Sequence, residues 1–126
     1  MSRDTLKRAF AALREYALTF PGACEEFPWG HTAIKVKGKA FLFMSDDDGL
    51  SLSTKLPSSR DVVLGLPFAK PTAYGLGKSG WVTAEFGLKD RVPLPTLRMW
   101  IEESYLAIAP VSMTRKPKPK AKSRKS

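Results

Sequence analysis

Between Asp4 and Leu18 the apolar residues Leu6, Phe10, Leu13 and Ala17 recur at helical spacing, with Lys7, Arg8, Arg14 and Glu15 on the other face. This predicts an amphipathic helix with Asp4 as its N-cap, stopped by Pro21 and Gly22. The pattern then changes period. From Thr32 to Lys55 it predicts three short strands: Ile34 and Val36 alternate against Ala33 and Lys35, the dense run Ala40-Phe41-Leu42-Phe43-Met44 follows, and Leu50, Leu52 and Thr54 share one face of the third. The hairpin turns fall at Lys37-Gly38-Lys39 and at Asp46-Asp47-Asp48-Gly49, where Asp-Gly supplies the positive φ of a tight turn.

Ser58-Ser59-Arg60-Asp61 reads as a helix start with a serine oxygen available to cap, and Gly65 limits that helix to Ser59–Leu64. Pro67, Pro71, Gly75, Gly77 and Gly80 interrupt the next stretch, leaving a brief strand at Thr72 to Tyr74. Trp81 to Phe86 alternates cleanly, with Val82, Ala84 and Phe86 on one face and Trp81, Thr83 and Glu85 on the other. Past Pro93 and Pro95, a last helix lines Leu97, Trp100, Ile101, Ser104, Tyr105 and Ile108 along one side and stops at Pro110. Two helices with one apolar face each need a sheet to cover them. The expected fold is therefore α+β: a two-layer sandwich in which an antiparallel sheet of about 4–5 strands carries the N- and C-terminal helices on one face.

A length of 126 residues suits one domain, assigned to residues 1–110, and 43% hydrophobic with 26% charged residues is the balance of a globular chain. No apolar run approaches the roughly 18 residues of a membrane span, so the expectation is a cytoplasmic protein with no membrane partner. One cysteine forms no internal disulfide, and Cys24 with His31 falls short of the four ligands of a structural zinc site; no metal or cofactor is expected.

Charge divides the chain sharply. Arg115, Lys116, Lys118, Lys120, Lys122, Arg124 and Lys125 carry seven of the nine formal net positive charges, and residues 1–110 hold 14 basic against 12 acidic residues. Prolines at 117 and 119 and mutual repulsion exclude a helix there, so residues 111–126 read as a disordered basic tail suited to polyanions, with affinity falling steeply in salt.

Several familiar chemistries fail on spacing. Gly77-Lys78-Ser79 is similar to the end of a P-loop, but the first glycine's position is Thr72 and a strand follows where the phosphate-binding helix belongs. Asp46 to Gly49 lacks the alternating acids and distal glutamate of a calcium loop. Cys24 and His31 share one loop without a dedicated third group to orient the imidazole, and the chain reads as non-enzymatic. Trp100 falls in the core register of its helix; Trp29 is either a wedge or a cleft wall, and Trp81 lies either on the open sheet face or over the motif loop.

Taken in order, Pro21-Gly22-x-x-Glu25 with Pro28-Trp29-Gly30, Lys35-Val36-x-Gly38-Lys39, Lys78-x-x-Trp81-Val82 and Glu103-Ser104-Tyr105 resemble the MmcQ/YjbR-like family over about residues 3 to 109. The resemblance implies a frataxin/CyaY-like α+β fold and DNA binding through two hairpin wings. On this chain the wing tips are Lys37-Gly38-Lys39, which suits phosphate, and Asp46 to Gly49, which repels it. The iron binding of frataxin-like proteins implies an acidic first helix; here Arg3, Lys7, Arg8 and Arg14 outnumber Asp4 and Glu15.

The resulting expectation is a nucleic-acid-binding protein of weak sequence specificity, with DNA favoured over RNA. Lys35, Lys37, Lys39 and Lys78 hold the backbone and the tail adds affinity, while no helix rich in Arg, Asn or Gln is present to read bases. The alternative is a protein- or small-ligand-binding module using a cleft near Trp29, His31 and Trp81.

Overall fold

Helix α1 (Arg3–Leu18) leads into β1 (Ala23–Glu26), β2 (Thr32–Val36), β3 (Lys39–Ser45) and β4 (Leu50–Lys55). A short helix α2 (Arg60–Val63), β5 (Ala69–Pro71), a 3-10 turn (Leu76–Ser79), β6 (Trp81–Phe86) and helix α3 (Leu94–Ile108) follow. The computed structural model describes residues 3–27, 31–46, 49–72 and 76–110. The tail at 111–126, Trp29 and Asp47-Asp48 lie outside the described residues, and the tail's assigned disorder lies there with them.

The fold is α+β. Among the described residues, six antiparallel strands form one open sheet in the order β1-β2-β3-β4-β6-β5, and α1 and α3 pack against each other and against the same face. That is one or two strands more than the alternation predicts. The additions are edge strands. In β1 the sequence Ala-Cys-Glu-Glu buries little and shows no apolar alternation, so its pairing with β2 is tertiary in origin. β5 lies at Ala69–Pro71, and the Thr72 amide adds a bond to the Trp81 carbonyl at 3.2 Å; the rest of the strand expected at Thr72 to Tyr74 lies outside the described residues. Pro71 is tolerated because an edge strand has a side with no partner to supply.

Faces follow the period-2 pattern. Val82, Ala84 and Phe86 of β6 point to the helices with Leu50 and Leu52 of β4, while Trp81, Thr83 and Glu85 share the open face with Ser51, Ser53 and Lys55. The register between β2 and β3 shifts at Ile34/Lys35, leaving Phe41 as an extra residue. This bulge lets two successive side chains, Phe41 and Leu42, both reach full burial. Phe41 packs edge-on against Phe20 and Tyr105, with ring centroids 6.2 and 5.2 Å away.

Both long helices bury the predicted stripes, Leu6, Leu13 and Ala17 on α1 and Leu97, Trp100, Ile101, Ser104 and Tyr105 on α3. Two capping expectations are corrected. α1 begins at Arg3, which puts Asp4 inside the first turn and not at the cap. Ser59 occupies the N-cap of α2 without a side-chain cap bond, because its hydroxyl donates to Glu103 Oε1 at 2.6 Å. The other Glu103 oxygen accepts the Ser58 and Ser59 amides at 2.9 and 3.1 Å, so a carboxylate from α3 replaces the serine as the cap.

Candidate nucleic-acid interface

The β2–β3 hairpin closes on two residues, Lys37 (φ 52°) and Gly38 (φ 80°), with Val36 paired to Lys39. Successive positive φ angles make this a turn of the I′ kind, which matches strand twist, and it leaves the Lys37 and Lys39 side chains exposed. Lys35 is different: its ammonium lies 2.9 Å from Glu26 Oε1 across the β1–β2 pair, so its charge is already answered.

Antiparallel topology determines which residues share an end of the sheet. β2 ends and β3 begins at the Lys37-Gly38 tip; β4 ends there at Lys55, and β6 starts there at Trp81, directly after Lys78. Continuing the β3–β4 register past Leu42–Thr54 brings Lys39 level with Pro57. The Leu56 amide donates to the Gly80 carbonyl at 2.8 Å, clamping the segment after β4 to the one before β6, and the Arg60 amide returns to the Leu56 carbonyl at 2.8 Å. Lys37, Lys39, Lys55, Arg60 and Lys78 thus collect at one end of the sheet, together with Asp61 and with Glu103, whose carboxylate holds Ser58 and Ser59 there. Lys55 and Arg60 were not among the residues singled out from sequence. The signal was available, since Lys55 closes an alternating strand and Arg60 follows the double serine, but only the sheet order joins them to Lys37.

The opposite end has another character. The β3–β4 connection turns there, and a hollow of about 600 Å³ is lined by Ser45, Ser51, Glu85 and Asp90 among others. Asp90 Oδ2 accepts the Gly87 amide at 2.7 Å, and Glu85 pairs with Lys70 at 2.9 Å. Consecutive antiparallel hairpins turn at opposite ends, so β3 ends at Ser45 and β4 begins at Leu50 at the end away from the lysine tip.

Of the expected cleft residues, His31 and Trp81 lie apart, and Trp29 lies outside the described residues. His31 is exposed just before β2 and is level with Ser45, Ser51 and Glu85 by register, four residues and three strand spacings from Trp81, or roughly 13 Å along and 14 Å across. Trp81 lies on the open face but is only 7% exposed, its ring 5.4 Å from that of Phe43. Beside this pair, Thr83 Oγ1 bonds Ser53 Oγ at 2.7 Å and Thr72 Oγ1 at 2.9 Å. Cys24 is exposed opposite Lys35 in β2, again roughly 13 Å along the strand from the level of His31. The described residues contain no group of three metal-ligating side chains, and no helix among them is long and apolar enough to cross a membrane.

Several motif residues hold the fold together. Arg14 donates Nε to Glu25 Oε2 at 2.6 Å and Nη2 to Oε1 at 2.5 Å, and this bond raises the guanidinium pKa above its ordinary value. Ser104 Oγ donates to the Phe41 carbonyl at 2.5 Å and accepts the Lys55 amide at 2.8 Å. Tyr105 donates to the Pro21 carbonyl, and burial raises its phenol pKa. Glu103, Ser104 and Tyr105 therefore tie α3 to α2, to β3 and β4, and to the α1–β1 corner in turn.

The YjbR family model matches residues 18–107. No curated protein matches the chain.

Proposed function

The chain belongs to the YjbR family, and from that premise we propose that it is a non-enzymatic nucleic-acid-binding protein that grips phosphates from one end of its sheet. The observation that carries this reading is the gathering of Lys37, Lys39, Lys55, Arg60 and Lys78 at that end, in a body whose net charge is only +2. A local excess of positive charge, here five cations against Asp61 and Glu103, attracts a polyanion even where the overall balance is near neutral. Docking is single-ended and not two-winged, because the second hairpin turns at the acidic end. Specificity is weak: contacts of lysine with phosphate fix position without reading bases, and both long helices spend their apolar faces on the sheet. DNA is the expected polymer, and the tail cations Arg115, Lys116, Lys118, Lys120, Lys122, Arg124 and Lys125 add affinity without sequence preference.

The test is an electrophoretic shift titration on duplex DNA at two salt concentrations, using the full chain and a full-length variant with those seven tail cations changed to glutamine. Retained, salt-sensitive binding by the variant is the expected result. If the variant fails to bind even at low salt, the body has no such role and any affinity of the parent belongs to the tail.

A further inference from the structure

A groove of about 310 Å³ opens at the basic end of the sheet, between the start of α2 and the 3-10 turn before β6. Its walls are Pro57 and Ser58 on one side and Lys78, Ser79 and Gly80 on the other, with Arg60 and Asp61 also lining it. The bonds from Leu56 to Gly80 and from Arg60 to Leu56 hold these walls at a set spacing. The groove is therefore built before any ligand arrives.

We infer that this groove is a seat for a phosphate group, with Lys78 and Arg60 as its cations and the Ser58 and Ser79 hydroxyls as neutral donors. The inference deepens the nucleic-acid reading and rests on it for the source of the phosphate, a strand backbone that continues past Lys39 and Lys37. Three observations favour an oxyanion. Lys78 is exposed and makes no ion pair among the described residues. Arg60 contributes a planar donor fork, which suits phosphate oxygens. Glu103 already holds the Ser58 and Ser59 amides, so at this wall the Ser58 hydroxyl and not the backbone of Ser58 or Ser59 is offered to the anion.

Asp61 sets the selectivity. Its carboxylate lies 3.3 Å from Arg60 Nε and is 88% exposed, so it competes with an entering anion for the guanidinium. A phosphate wins by engaging both cations, whereas a singly charged anion gains too little to displace the carboxylate.

The experiment follows backbone amide chemical shifts of the full-length protein during titration with inorganic pyrophosphate, with sodium chloride at matched ionic strength as control. Saturable shifts at Ser58, Lys78, Ser79 and Gly80 that chloride does not reproduce are expected. Lys78→Gln should weaken the apparent affinity about tenfold, the usual loss of a charge-assisted contact, and Asp61→Asn should tighten it about threefold by removing a negative charge from the groove wall. Absence of saturable shifts, or equal affinity in the parent and Lys78→Gln, overturns the inference. A short DNA duplex is the second arm. Groove shifts with duplex that pyrophosphate competes away support both readings. Groove shifts with pyrophosphate but none with duplex keep the phosphate seat, assign it to free phosphates and remove the nucleic-acid reading. Duplex shifts confined to Lys37 and Lys39, with pyrophosphate inert, keep the nucleic-acid reading and remove the seat.

Discussion

The Tyr105 hydroxyl donates to the Pro21 carbonyl at 2.7 Å, so the end of the last helix is bonded to the corner where α1 gives way to β1. The ring is 2% exposed and stacks on Phe20 with centroids 4.7 Å apart. Tyr105→Phe keeps the stack and removes only the hydroxyl, and should cost about 1 kcal/mol in urea unfolding. Burial raises the phenol pKa above its ordinary 10.0, which means that the unfolded chain releases this proton first. Stability from this group is fully present below about pH 10 and is lost as pH rises toward the folded value. Tyr16 is raised too, by desolvation and then by Glu102, against Arg98, so Tyr105→Phe should reduce the alkaline loss without abolishing it.

Glu103 accepts two amides and one hydroxyl from Ser58 and Ser59. Glu103→Ala leaves those donors to water, since Ser58 is exposed and Ser59 half-buried, and should cost about 1–2 kcal/mol. Hydrogen exchange should rise first at Ser58, Ser59 and the α2 amides. Uniform exchange throughout the sheet at unchanged α2 rates would contradict this capping role.

Gly38 and Gly49 both have positive φ, at 80° and 91°, but differ in surroundings. A methyl group on Gly38 meets nothing within 4 Å, whereas on Gly49 it would contact the Phe86 carbonyl oxygen in the neighbouring strand. Gly38→Ala should therefore cost only the left-handed backbone penalty of about 1–2 kcal/mol. Gly49→Ala should cost clearly more, because β4 or β6 must also shift. Paired melting curves test the order of the two.

Thr54 is fully buried on the helix-facing side of β4, and its hydroxyl has no hydrogen-bond partner among the described residues. Thr54→Val replaces that hydroxyl with a methyl of similar size and favours the strand. Stability should rise by about 1 kcal/mol, read as a higher denaturant midpoint with an unchanged m-value.

In the tail-neutralised protein, Lys37→Gln and Lys39→Gln should each reduce the magnitude of the log–log salt slope for duplex binding by about 1. Lys35→Gln should change it less, because Glu26 already holds that ammonium at 2.9 Å. Glu26→Gln releases Lys35 and should strengthen binding. Equal effects at all three lysines would mean that the Lys35–Glu26 pair does not persist in solution.

Strong local periodicity made most of the architecture legible in the sequence. The stripes of α1 and α3, the β2–β3–β4 meander and β6 each carry enough apolar side chains in one period to declare their type and buried face. The edge strands do not. Cys24, Glu25 and Glu26 join a sheet because β2 offers backbone partners, and Ala69 to Pro71 do so beside β6. The glycine-rich turns were also legible, because Lys37-Gly38 needs a positive φ whatever it packs against.

The sequence by itself determined the class of fold, the basic hairpin tip and the family motifs, since each depends on residues close together in the chain. Tertiary structure decided which charges remain available and where they meet. Strand order carried Lys55, Arg60 and Lys78 to the end occupied by Lys37 and Lys39, and the β1–β2 register spent Lys35 on Glu26. It also separated His31 from Trp81 by several strands. Charge pairing and clustering depend on distances across the sheet, and those distances exist only once the backbone hydrogen bonds have selected a register.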